Sequence, residues 1–193
     1  MVADRVNYME RFMGIIGKYA LATVAAIAAF ITLTGSEVRA QEKQTINAFS
    51  VWQATGQTFR TSVEEGTFVG VLRGLVFIET EQGPQRAGVM ACPFTLTINI
   101  DTGEQEGRGL CTVTTNDGPM VFADVECRGF HQVGCKGDFT FSGGTERFSG
   151  ITGGGPVTFR SDSWTVDSVG DFELASKAAG IAYWRDLAFK LRN

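Results

Sequence analysis

In CPFTLTINI, residues 92–100, every second position is apolar: Cys92, Phe94, Leu96, Ile98 and Ile100 share one face, while Thr95, Thr97 and Asn99 share the other. Period two is the mark of a strand with one face in a core. The same period returns in Val121, Ala123, Val125 and Cys127, and again in Cys135, Phe139 and Phe141 with Gly137 between them. Turn-forming stretches, among them ATGQ, EQGPQ, DTGEQEG, NDGP and a Gly-rich run from Ser142 to Pro156, separate segments of this kind. Candidate strands therefore fall at 45–53, 58–63, 67–79, 86–100, 108–115, 119–128, 135–142, 156–162, 167–174 and 181–191. With no helical pattern between them, the spacing predicts an all-β antiparallel domain, a barrel or a sandwich.

FVGVLRGLVFI, Phe68 to Ile78, breaks the alternation: it is apolar on both parities apart from Arg73. Either a loop or the C-terminal segment seals its outer face, or that face is a subunit interface of a homo-oligomer, a dimer or a trimer.

Residues Tyr19 to Leu33 form an uncharged run, YALATVAAIAAFITL, preceded by Arg11 and Lys18. At about fifteen residues it is short of the roughly 20 that a spanning helix needs. Val38-Arg39-Ala40 supplies small residues at the positions a signal peptidase reads, so residues 1–40 are expected to be a signal peptide cut after Ala40. An uncleaved signal anchor is the alternative, and only in that case is a membrane a partner. Both readings export residues 41–193 as one domain, to the periplasm or the extracellular space.

Composition narrows the chemistry. The chain has 193 residues, 17 basic and 21 acidic, for a net charge of −4; no nucleic-acid partner is expected of such a balance. One histidine, His131, excludes sites that need two imidazoles. All four cysteines, Cys92, Cys111, Cys127 and Cys135, follow residue 40, and an even count in an exported chain predicts two disulfides. Each lies on an apolar row. Cys127 and Cys135 flank RGFHQVG and oppose one another if the hairpin turns near His131, while Cys92 and Cys111 flank the Asp101-Thr102-Gly103 turn. The expected pairs are 92 with 111 and 127 with 135. A metal site would need CxxC-type spacing, which is absent, so no metal and no cofactor are expected.

The most distinctive local sequence is Gly143-Gly144-Thr145-Glu146-Arg147-Phe148-Ser149-Gly150-Ile151-Thr152-Gly153. It lacks the Gly-Lys-Ser/Thr of a phosphate loop, and its glycines suit positive φ and close strand approach. It resembles the Gly-Gly-Thr/Ser-Gly-x-Phe-x-x-x-x-Gly segment of plant dirigent proteins and allene oxide cyclases, and, more closely, exported bacterial proteins of uncharacterised function with paired cysteines around GGTGRFxGITG. The likeness is loose over 45–190 and good over 127–160; Glu146 departs from it, where those families usually have Gly. The glycine density lets Phe148, Ile151 and Val157 plug the barrel end, and the resemblance implies a small antiparallel barrel of about eight strands, with Gly143, Gly144, Thr145, Phe148, Gly150 and Gly153 building a structural turn.

None of those families' active-site residues matches a position outside that turn. Two functions follow from the barrel. One is a non-catalytic binder of a small apolar ligand, or a structural module, with an interior that is closed or purely apolar. The other, implied by the resemblance, is a cofactor-free isomerase or cyclase, with a buried carboxylate, Tyr or Arg reaching the cavity floor. Arg73 and Arg160, which interrupt apolar strands, are the candidate ligand-binding residues. Asp124 and Glu126 share a face, but the opposite row is the better core, so they are expected in water. Trp52, Trp164 and Trp184 are expected to pack.

Overall fold

The alternation is realised as eight long strands: β1 (Gln44–Arg60), β2 (Glu65–Thr80), β3 (Gly83–Asn99), β4 (Glu104–Thr115), β5 (Met120–Phe130), β6 (Gly134–Gly144), β7 (Thr152–Ser168) and β8 (Glu173–Lys190). In the computed structural model, which describes residues 42–168 and 173–192, every strand is antiparallel to its chain neighbour and β8 pairs back onto β1. The sheet is a closed up-and-down barrel and has no unpaired edge. The expected signal peptide, residues 1–40, lies outside the described residues, as do the Trp164 side chain and residues 169–172 of the candidate strand at 167–174.

Ten candidate strands become eight because two breaks are continuous sheet. The stretch ATGQ, 54–57, is the middle of β1, and 156–162 runs on into the rest of β7. Gly56 looks like punctuation in the sequence but fills a packing role. A Cβ there would lie 2.6 Å from the Phe68 ring and 2.3 Å from the Val69 carbonyl, so only glycine lets β1 and β2 close over that ring. Ile100, placed with the apolar row of 92–98, sits past the end of β3 and is exposed.

Both disulfides form as paired from the sequence. Cys92 and Cys111 fall between the registered pairs Ala91↔Thr112 and Phe94↔Gly109, which sets them directly opposite on β3 and β4. Cys127 and Cys135 are offset instead: Cys127 faces Gly137 and Gly129 faces Cys135. The hairpin pivots on Gln132, whose φ is 65°, one residue beyond His131, and the bridge runs diagonally. Such bridges fit an oxidising, exported environment.

Along β2 the inward row alternates Gly66, Phe68, Gly70, Leu72, Gly74 and Val76. On β8 it is Ser176, Ala178, Gly180, Ala182 and Trp184. Small residues opposite large ones are what an eight-stranded barrel needs, since its interior is only just wide enough for side chains. Ser50, Met90, Val157 and Ala182, all but fully buried, form a waist that divides the interior.

Candidate functional site

Each side of the waist holds a cavity. The upper one, about 70 Å³, lies where the two bridges span the barrel wall: Cys92, Cys111, Cys127 and Cys135 line it with Trp52, Phe159 and Gln105. Gln105 is buried and donates from Nε2 to the Gly134 carbonyl at 3.3 Å, so its one polar head is spent on the barrel wall.

The lower cavity is larger, about 150 Å³. Phe139, Phe141, Phe148, Phe189 and Trp184 line it together with aliphatic side chains, Val121, Ile151 and Leu187 among them. The rings form an edge-to-face chain: Trp184 to Phe139 at 5.4 Å, Phe139 to Phe141 at 5.5 Å and Phe141 to Phe189 at 6.0 Å between centroids. Two local devices build this end. On β8, Asp186 takes φ 55° and its N–H donates to the Asn47 Oδ1 at 2.9 Å, forming a bulge against β1. The bulge shifts the inward parity from Trp184 to Leu187 and Phe189, turning both into the cavity.

The second device is the Gly-rich segment, which crosses the barrel end as a cap. Thr145 anchors it to β5: its N–H donates to the Met120 carbonyl and its Oγ1 accepts from the Met120 N–H, each at 2.9 Å. Residues 146–148 then make the 3-10 turn that sends Phe148 into the cavity, followed by buried Ile151. At Gly144 a Cβ would lie 2.6 Å from that of Phe148, so the strand end must be bare for the turn to fold back. Gly150 and Gly153 take φ 73° and 117°. Phe148 and Ile151 thus plug the end as expected, while Val157 sits deeper, at the waist.

Arg147 holds the cap from outside. Its guanidinium grips Asp117, in the turn between β4 and β5, with both terminal nitrogens, Nη2 to Oδ1 at 2.7 Å, and lies 4.7 Å from the Phe148 ring centroid. The hydrogen bonds from Arg147 hold the Asp117 carboxyl far below the usual carboxylate range. The link is therefore complete above the ordinary pKa near 3.8 and is lost only as pH falls towards the lower, folded value.

Glu146, the departure from the Gly-Gly-Thr-Gly pattern, takes φ 51°. A left-handed conformation costs a side chain roughly 1–2 kcal/mol, against roughly 0.4–1 kcal/mol for the extra unfolded freedom of glycine. Glu146→Gly is expected to raise stability by about 0.5 kcal/mol, read as a higher urea midpoint at unchanged slope.

The candidate ligand residues are elsewhere. Arg73 on β2 and Arg160 on β7 take the outward parity and are exposed, so neither lines the interior, and they stand in different rows, beside Gln53 and Ile181. Both interrupt apolar strands, yet on β2 the outward row is the more continuously apolar one. Asp124 and Glu126 are exposed as expected, and Glu126 lies 3.7 Å from Arg108. His131 is half-buried; burial lowers its pKa, and its backbone N–H donates to the Gly103 carbonyl at 2.8 Å. Asp117 and the Phe189 and Leu187 positions had no signal in the sequence pattern, because each depends on a turn or bulge that only the closed barrel fixes.

Compared with known proteins, the chain matches no family model and no curated protein.

Proposed function

We propose that the barrel is a carrier for a compact, uncharged, apolar molecule held in the lower cavity. The observation that supports this best is the wall itself: a 150 Å³ space lined by five aromatic rings and aliphatic side chains. Its one hydroxyl, that of Thr115, already donates to the Pro119 carbonyl at 2.8 Å. Apolar cavities of this size stay dry and take ligands such as benzene. Closing the ring chain around an aromatic or unsaturated ligand would extend the edge-to-face contacts already present.

A cyclase would need a polar group at the reacting atoms to direct closure. The described side chains on the cavity wall offer no carboxylate, tyrosine or arginine, and this favours the binder over the isomerase or cyclase that the dirigent and allene oxide cyclase resemblance implies. That resemblance, carried by the Gly-rich cap, fits the barrel architecture. Two disulfides and the apolar run at 19–33 support an exported protein, with the run acting as a signal peptide.

Toluene is the direct probe. At about ten times its Kd it is expected to add about 1.4 kcal/mol, raising Tm by about 3–5 °C, and to shift the methyl resonances of Val121 and Ile151. Ala87→Phe, which places a ring at the cavity's edge, should abolish both effects while the bridges remain intact. Toluene that leaves Tm and those methyls unmoved would overturn the proposal.

A further inference from the structure

The outer wall of the barrel is divided. On β4 to β6 the outward positions are charged, Glu106, Arg108, Glu126, Arg128, Lys136 and Asp138 among them, and Glu106, Arg108, Glu126 and Arg128 form ion pairs at 3.3–3.7 Å. On β8, β1, β2 and β3 two neighbouring outward rows are apolar and in register, ending at Arg160 on β7 beside Ile181 and at Arg86 on β3 beside Phe77. One row runs Ile181, Val51, Leu75, Val89, and the next runs Tyr183, Phe49, Phe77. Val51 is 52% exposed, Leu75 41% and Val89 43%, and the Phe49 and Phe77 rings stack at 5.1 Å. Four strands about 4.8 Å apart, over the seven residues of β2 from Arg73 to Glu79, make roughly 450 Å² of face, apolar at its centre and charged at its two ends. That is about half of the roughly 800 Å² each partner gives to a standard interface, leaving the remainder to a polar rim.

We propose that this face is the interface of a two-fold dimer, with β2 of one copy lying antiparallel across β2 of the other. The charges on β2 choose the occupant. Arg73 and Glu79 both take the outward parity, are exposed, and flank Leu75 and Phe77; no ion pair is found for either among the described residues. A two-fold axis at the level of Val76 lays Leu75 over Phe77 of the second copy and brings Arg73 to Glu79 of the second copy, twice by symmetry. Each charge stands about 10 Å from the axis along the strand. At the roughly 30° crossing of packed sheets, that displaces the paired backbones by only about 5 Å, within reach of both side chains. Lipid would leave an arginine and a glutamate unpaired in hydrocarbon, whereas a second copy pairs both. Because the barrel has no free edge, a second copy meets this face rather than adding a strand to the sheet.

The test is a charge swap on the full chain, with mass measured by light scattering from about 1 µM to about 100 µM. The unmodified protein is expected as a dimer. Arg73→Glu and Glu79→Arg are each expected to weaken it at least about tenfold, and the double swap to restore it, because the reversed pair meets again across the axis. Val51→Lys, in the apolar row, should give a monomer that no charge swap rescues. Far-UV circular dichroism and intact bridges confirm that each variant is folded. A monomer throughout the range, a trimer, or a double swap no tighter than the single ones overturns the proposal.

Discussion

Replacing all four cysteines by alanine is expected to leave the domain unfolded or nearly so at 37 °C. The bridges close loops of 19 and 8 residues. In the chain-entropy model these restrict the unfolded state by about 3 and about 2.5 kcal/mol. A domain of this size has only about 5–15 kcal/mol in all. The native state loses as well, since all four sulfur atoms are in the buried core and line the upper cavity, where truncation enlarges a hole of about 70 Å³. The two bridges differ in a testable way. Cys92→Ala with Cys111→Ala should cost more than Cys127→Ala with Cys135→Ala, by about 0.8 kcal/mol from loop length alone. Urea denaturation followed by tryptophan fluorescence reads both. A four-alanine variant with a midpoint within about 0.5 M of the parent would show that the bridges are dispensable.

The same bridges show how far the sequence carried. On β3, β5 and β6 most buried positions are apolar and follow period two, so parity located the core, the cysteines and the hairpins that join them. β2 defeats that logic. Its inward row is half glycine, Gly66, Gly70 and Gly74, and its outward row holds Val69, Val71, Leu75 and Phe77. Counting apolar residues makes the outside look like the core, and Arg73 then reads as an interior residue. β8 hides its inward face behind Ala178, Gly180 and Ala182, which carry little hydrophobic signal but leave the space that Trp52 and Trp184 occupy. The lower cavity was legible only at its cap. Phe148 and Ile151 could be placed at the barrel end from the glycines around them, whereas Phe139, Phe141 and Phe189 converge only once the Asp186 bulge and the closure of β8 onto β1 are fixed.

The glycine on β8 gives the second large effect. Gly180 lies opposite Trp52 on β1 and Ser161 on β7. A Cβ at 180 would stand 1.9 Å from the Arg160 carbonyl oxygen and 2.7 Å from Cζ2 of the Trp52 ring. The clash is at the first side-chain atom, so Gly180→Ala meets all of it. Relief would require β7 to move by more than an ångström, breaking ladder hydrogen bonds, or Trp52 to leave its site for an upper cavity of about 70 Å³ that cannot hold an indole. Overpacking alone costs about 1–3 kcal/mol, and each disrupted buried hydrogen bond adds about 1 kcal/mol, so a loss of at least about 3 kcal/mol is expected. Gly66→Ala is the control: it too is an inward strand glycine, and a buried one, but its Cβ would meet nothing nearer than 3.7 Å. That substitution should change stability by less than about 1 kcal/mol, since the entropy gained in the unfolded state works in its favour. Adding Trp52→Leu to Gly180→Ala should recover only part of the loss, because the carbonyl of Arg160 stays where it is. Equal urea midpoints for the two alanine variants would mean that β7 and β8 yield freely, and that the interior is not held by the fit of Trp52 against a bare backbone.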